Sequence, residues 1–193
     1  MIEATCELLE LQGYHGTGLN QILQTSHAPK GSLYHHFPGG KDELTLTALR
    51  EVGGEVLSRI TDALAVDGPT WKVIPDFIRR IAAGVKASGF RAGGPITTVA
   101  LETASTNAAI RHECSRIYRA WREAFAERLR RGGATPSEAR RLAHTIVAGI
   151  EGGIILSRCD HDAEPLTATA EQIGVLLRTR AKRDGPHQTG GEE

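Results

Sequence analysis

The chain has 193 residues, 40% of them hydrophobic and 24% charged, with a formal net charge of zero. That length suits one large domain or a small one joined to a larger one, and the composition is that of an ordinary soluble globular protein. The longest apolar runs, such as Gly152-Gly153-Ile154-Ile155-Leu156, fall far short of the ~20 residues of a membrane helix. Glu3, Glu7 and Glu10 break up any signal-peptide core, and three widely spaced cysteines (Cys6, Cys114, Cys159) point to reduced thiols in a cytoplasmic protein.

Helical periodicity runs from end to end, and no stretch alternates for long in strand fashion. A first helix carries Leu8, Leu9 and Leu11 and stops at Gly13. A short second helix covers about Gly18 to Thr25, burying Leu19, Ile22 and Leu23. Ser26-His27-Ala28 makes a tight connection, and Pro29 opens a third helix that ends near Phe37, before Pro38-Gly39-Gly40. Asp42 then caps a long helix reaching about Ala65.

Beyond Asp67-Gly68-Pro69, Thr70 is a candidate cap for a fifth helix, with Pro75 as a kink or delayed start. A short helix runs from Pro95 to about Thr103, and a long amphipathic one from Ala108 to Arg131. Thr135-Pro136-Ser137-Glu138 forms a capping box that starts a helix to about Arg158. A last helix covers Pro165 to about Lys182, and the polar, Gly-rich stretch 183–193 reads as a disordered tail. The expected fold is therefore all-α, with about nine helices. Residues 1–45 make a three-helix head, and 46–182 make a larger helical body.

The second and third helices, joined by a three-residue turn, have helix-turn-helix spacing, which would place the third in a DNA major groove. Lys30, Gly31, Ser32, Tyr34, His35 and His36 supply suitable chemistry on that helix. Lys30 can meet a phosphate or a guanine edge, the hydroxyls and imidazoles can donate to phosphate oxygens, and Gly31 permits close backbone approach. Leu33 and Phe37 face back onto the other helices. Tyr34 could instead close the three-helix core, but helical phase sets it beside Lys30. His35 and His36 point about 100° apart, which disfavours a shared metal ion. One anomaly stands against DNA binding: residues 1–50 carry a net charge of −2, where such domains are usually basic.

Gly13-Tyr14, Thr17, Ile22, Lys30-Gly31-Ser32-Leu33-Tyr34-His35-His36-Phe37 and Lys41-Asp42-Glu43-Leu44 together resemble the DNA-binding signature of the TetR family of transcriptional regulators. Pro38-Gly39-Gly40-Lys41 and the later Gly94-Pro95-Ile96…Val99-Ala100-Leu101-Glu102 are similar to the LmrA/YxaF-type subgroup. The resemblance implies a helix-turn-helix over about Gly18 to Phe37. DNA contacts would come from Thr17, Gly18, Thr25, Lys30, Gly31, Tyr34, His35 and Lys41. Family members usually carry several residues, some basic, before the first helix, whereas this sequence begins inside it. Either the chain as given starts late or the protein binds DNA weakly; in both cases each missing phosphate contact lowers affinity.

A regulator of this design needs a bistable body with an apolar pocket. Candidate ligand contacts are Trp71, Phe77, Phe90, Thr98, Glu102, Tyr118, Trp121, Phe125, His144 and Glu151, with ordinary core packing as the favoured alternative for each. Gly149, Gly152 and Gly153 within one turn suggest close approach of another helix. By the resemblance, Ile146, Gly149, Ile150, Gly153 and Ile154, with Leu166, Ile173, Leu176 and Leu177, would form a four-helix homodimer bundle; packing inside one chain is the alternative.

The function expected is a ligand-responsive repressor. It would bind a palindromic double-stranded DNA operator as a homodimer and be released by a small apolar effector, with no membrane association. A binding module that has lost DNA recognition is the alternative. No nucleophile–base pair supports an enzyme, and neither a metal nor a cofactor is expected. Cys159-Asp160-His161-Asp162 lacks ligand spacing, Gly39-Gly40-Lys41 lacks the rest of a phosphate loop, and the arginine-rich face of 108–131 is interleaved with glutamates.

Overall fold

The computed structural model describes residues 1–183, which form nine helices and no strand. They are α1 (Ile2–Gly16), α2 (Leu19–Ser26), α3 (Lys30–His36), α4 (Gly40–Ala65), α5 (Thr70–Ala87), α6 (Pro95–Thr103), α7 (Ala108–Arg131), α8 (Pro136–Asp160) and α9 (Glu164–Arg183). Arg183 closes the last helix, and the rest of the expected tail, 184–193, lies outside the described residues.

Several boundaries differ from the sequence-based expectation for local reasons. The helical conformation of α1 does break at Gly13, at φ 74° and ψ −176°, and a further turn beyond this kink carries the element to Gly16. A side chain there would be strained, and its Cβ would collide with the Glu102 carboxylate. Asp42 does not cap α4. The helix begins at Gly40, and Glu43 reaches back to accept from the Gly39 amide at 2.8 Å. Thr70 is the first residue of α5 rather than its cap, and Pro75 sits buried within a continuous helix. Thr135 does cap α8, accepting from the Glu138 amide at 3.3 Å, while the Glu138 carboxylate turns to Arg180 of α9 at 3.0 Å.

Two apolar cores form. Leu8, Ile22, Leu33 and Leu44 make a small one with Met1, Leu19, Leu23 and Phe37 packed around it. The larger one draws on α4 to α9 together with Leu9 of α1, and includes Leu49, Ile74, Ile78, Ile110, Phe125, Ile146 and Leu166. α4 runs through both, from Leu44 in the first to Leu49, Ile60 and Leu64 in the second. As a whole helix, α8 is long and apolar enough to cross a bilayer by length and composition. Its apolar side chains Ala143, Ile146, Val147 and Ile150 are buried, and the helix packs on α5, α7 and α9. That packing accounts for its composition.

The glycines of α8 admit a helix of the same chain. A Cβ at Gly153 would lie 2.9 Å from Leu166 and one at Gly149 3.1 Å from Thr169, both on α9. Ile146, Ile150, Leu166, Ile173 and Leu177 are likewise buried within the chain. Within one chain these side chains pack where α9 folds back onto α8. Of the expected bundle residues, Leu176 is exposed, and Gly149 and Ile154 are half-buried.

Candidate functional site

The turn between α2 and α3 works through His27, which adopts the left-handed conformation at φ 52°. Ala28 N–H then reaches the Leu23 carbonyl at 3.2 Å, while Pro29, in extended conformation, immediately precedes α3. Leu33 is fully buried against Ile22 and Leu44 in the small core. Fixing Leu33 inward turns the other faces of this short helix to water. Lys30, Gly31, Tyr34, His35 and His36 are all exposed, with Tyr34 at 52% relative exposure, and Ser32 is half-buried. The His35 and His36 rings meet edge to face at 4.9 Å. Gly18 and Thr25 are also exposed at the two ends of α2.

Two residues from the DNA-contact set are placed differently. Thr17 is buried, and its hydroxyl donates to the Gly13 carbonyl at 2.6 Å. It closes the α1–α2 connection, so its hydroxyl is not presented at the surface. Lys41 lies with Nζ 4.1 Å from the centre of the Tyr14 ring, a cation–π position. Burial there pulls its ammonium below the ordinary lysine range, while Asp42 and Glu102 act the other way.

Beneath this head sits a cavity of about 790 Å³, within the usual size range for small-molecule sites. Its walls come mainly from α4, α5, α7 and α8. Among the sequence-based candidates, Phe77, Trp121, Phe125 and Glu151 line it. Trp121 donates its indole N–H to the Gly53 carbonyl at 3.0 Å, which leaves the ring's apolar surface for the cavity. Thr98 and Glu102 line a smaller cavity of about 300 Å³ that shares Glu151, Thr97 and Ile154 with the first.

The remaining candidates lie elsewhere. Trp71 packs beneath Lys72 and Arg178, Phe90 meets His161, and His144 is exposed with Nδ1 2.8 Å from the Arg140 carbonyl. Tyr118 stands behind the wall, its hydroxyl 2.7 Å from that of Thr97. Ile150 and Ile154, expected at the dimer bundle, line the larger cavity.

Contacts that the sequence did not assign connect cavity and head. Glu10 of α1 lines the cavity, and its Oε1 accepts from the amides of Gly93 and Gly94 at 2.8 Å each, just before α6. At the other end of α6, Glu102 accepts from the His15 amide at 2.8 Å. Asp42 takes a short hydrogen bond from the Tyr14 hydroxyl on one oxygen, and one from Asn107 Nδ2 at 2.8 Å on the other. Asn107 Oδ1 also caps α7 by accepting from Ile110 N–H at 3.1 Å. Burial, followed by the Asp42 bond, pushes the Tyr14 phenol up to about 12. α1 is thereby tied to α6, and the start of α4 to the start of α7.

The exposed helix-turn-helix, its separate small core and the body behind it match a known family over most of the chain. The family model described as bacterial regulatory proteins, tetR family, covers residues 1–48, and that of the LmrA/YxaF-like transcriptional regulator C-terminal domain covers 71–172. The chain belongs to the TetR family. Among its relatives is the HTH-type transcriptional regulator YxaF of Bacillus subtilis, 38% identical over 93% of this chain and 94% of that protein. LmrA of the same organism is 35% identical over 92% and 95%.

Solved structures agree on the fold. A regulatory protein TetR from Rhodobacter sphaeroides superposes with a TM-score of 0.81 at 22% identity, over 90% of this chain and 95% of that one. The TetR-family regulator CifR, in a cysteine mutant complexed with 26-base-pair operator DNA, superposes at 0.80 and 22% identity, over 91% and 94%. This TetR-family chain therefore has the signature residues Lys30, Gly31, Tyr34, His35 and His36 exposed on its third helix and a cavity lined largely by its LmrA/YxaF-like half.

Proposed function

We propose that this chain is a transcriptional repressor that binds a palindromic DNA operator as a homodimer and is released by a small apolar effector. The observation that carries this reading is Glu10. It belongs to the first helix of the head, lines the cavity of the body, and holds the two amides that precede α6. A molecule entering the cavity displaces the wall that α1 grips, so occupancy and head orientation share one contact. The head (1–45) contributes the exposed α3 face and the body (46–182) the cavity. Operator binding by CifR supports the same role for α3 here, and membership in a family of DNA-binding regulators supports a cytoplasmic location.

A two-fold operator needs a two-fold protein. Ile155 and Leu156 on α8, with Val175 and Leu176 on α9, are large apolar side chains left 42–55% exposed. They supply an apolar face for a second copy in place of the buried seam. Fluorescence anisotropy on duplex DNA from upstream of the protein's own gene, titrated over a salt series, tests the reading. Salt-sensitive, saturable binding that Lys30→Ala and Tyr34→Ala weaken is expected. Absence of any salt-dependent binding would leave a ligand-binding module without DNA recognition.

A further inference from the structure

We infer that the cavity selects an apolar molecule bearing one protonated amine, with Glu151 as its counter-ion. The inference rests on the effector reading of the cavity and names the chemistry that this site takes. Glu151 projects from α8 at the wall common to both cavities. Its carboxylate accepts a short hydrogen bond from the Thr97 hydroxyl, which lies 2.7 Å from the Tyr118 hydroxyl. Burial pushes its carboxyl above the ordinary range, and the groups acting in the other direction are two neutral hydroxyls rather than a cation.

The surroundings sharpen the choice of ligand. Val56, Phe77, Trp121, Phe125 and Ile150 give the cavity apolar walls, and of the two other carboxylates lining it, Glu10 is already occupied by the Gly93 and Gly94 amides. The basic groups lining it, Arg59 and Arg80, are exposed, as is Asp62, so water screens all three. The half-buried Arg158 lines the smaller cavity that Glu151 also faces and makes no ion pair with it. A carboxylate facing apolar walls without a cation is costly, and a ligand ammonium relieves that cost by forming a desolvated pair. A neutral ligand relieves it less. An anionic ligand meets Glu151 and Glu10 together.

Isothermal titration of the full chain with 2-naphthylmethylammonium, 2-naphthylmethanol and 2-naphthoate tests this, since the three share one apolar body and differ in charge. The expected order is ammonium tightest, by at least ~10-fold over the alcohol, with the carboxylate weakest. Glu151→Gln should cut the ammonium's advantage over the alcohol to within about twofold. Equal binding of ammonium and alcohol by the unaltered chain overturns the inference and needs no variant to be read. So does an ammonium preference that survives Glu151→Gln. Ala63→Phe, which places bulk in the cavity wall, should weaken all three probes together. Failure of every probe to bind, or indifference of all three to Ala63→Phe, overturns the effector cavity itself as well.

Discussion

Glu10 and Gly94, 84 positions apart in the chain, are joined by a 2.8 Å hydrogen bond from the Gly94 amide to the Glu10 carboxylate. The same oxygen holds the Gly93 amide. An anion at this place also faces the positive end of α6, which strengthens the grip. Through this contact the first helix of the head becomes part of the cavity wall.

Glu10→Ala should therefore loosen α6 without emptying either core. Hydrogen exchange is expected to accelerate selectively at the Gly93 and Gly94 amides. Unfolding by denaturant should show a loss of about 1–2 kcal/mol, the usual scale for a hydrogen bond to a charged group that is partly solvated. Unchanged exchange at both amides would dissociate Glu10 from the tie.

Thr17 and Lys30 belong to the same signature but should separate cleanly by experiment. Thr17→Val removes a buried donor to the Gly13 carbonyl and is expected to lower stability by about 1 kcal/mol, seen as a lower Tm, with the salt dependence of DNA binding intact. Lys30→Ala, at an exposed position, should leave Tm alone. It should reduce the slope of log affinity against log salt by about 0.9, the loss of one phosphate contact.

Tyr14 supplies a pH signature. Its folded-state value is raised to about 12, above the value of about 10 for an unfolded tyrosine. The stabilisation is therefore fully present below about pH 10 and is lost as pH rises through about 12. Ultraviolet titration should show one late-ionising phenol that disappears in Tyr14→Phe. The same variant should be less stable than the parent at neutral pH and converge with it at high alkaline pH.

Leu156 and Ile173 distinguish an exposed face from an internal seam. Leu156 is 55% exposed and Ile173 is buried at 5%. Leu156→Glu should halve the molecular mass seen by sedimentation while leaving the helical circular dichroism spectrum intact. Ile173→Ala opens a cavity between α8 and α9, with an expected cost of about 2–4 kcal/mol in unfolding free energy. A mass unaffected by Leu156→Glu would move the dimer contact to another surface.

Helix order was legible because local signals agree along the chain. Thr135-Pro136 starts α8 and His27 ends α2 for reasons contained in a few neighbouring residues. The burial of Leu33 likewise implied that Lys30 and Tyr34 face outward, since helical phase links them. The N-terminal signature was therefore readable almost position by position. Asp42 was less accessible. As a carboxylate near a helix start it resembled a cap, yet its partners Tyr14 and Asn107 stand 28 and 65 residues away.

Sequence alone thus determined the all-helical class, the helix-turn-helix and the family, because periodicity, caps and a signature of fixed spacing are local properties. Tertiary structure decided which apolar stripe faces which neighbour. Ile146, Leu166 and Ile173 have the pattern of an interface, but α9 folds onto α8 and buries them within the chain. It also decided that Phe77, Trp121 and Phe125 line the large cavity while Trp71 and Phe90 do not. An aromatic side chain has the same periodicity whether it faces a cavity, a helix or a solvated arginine. The reach of Glu10 to Gly93 and Gly94 belongs to the same class, since a carboxylate's partner across 84 residues is set by packing and not by its neighbours in the chain.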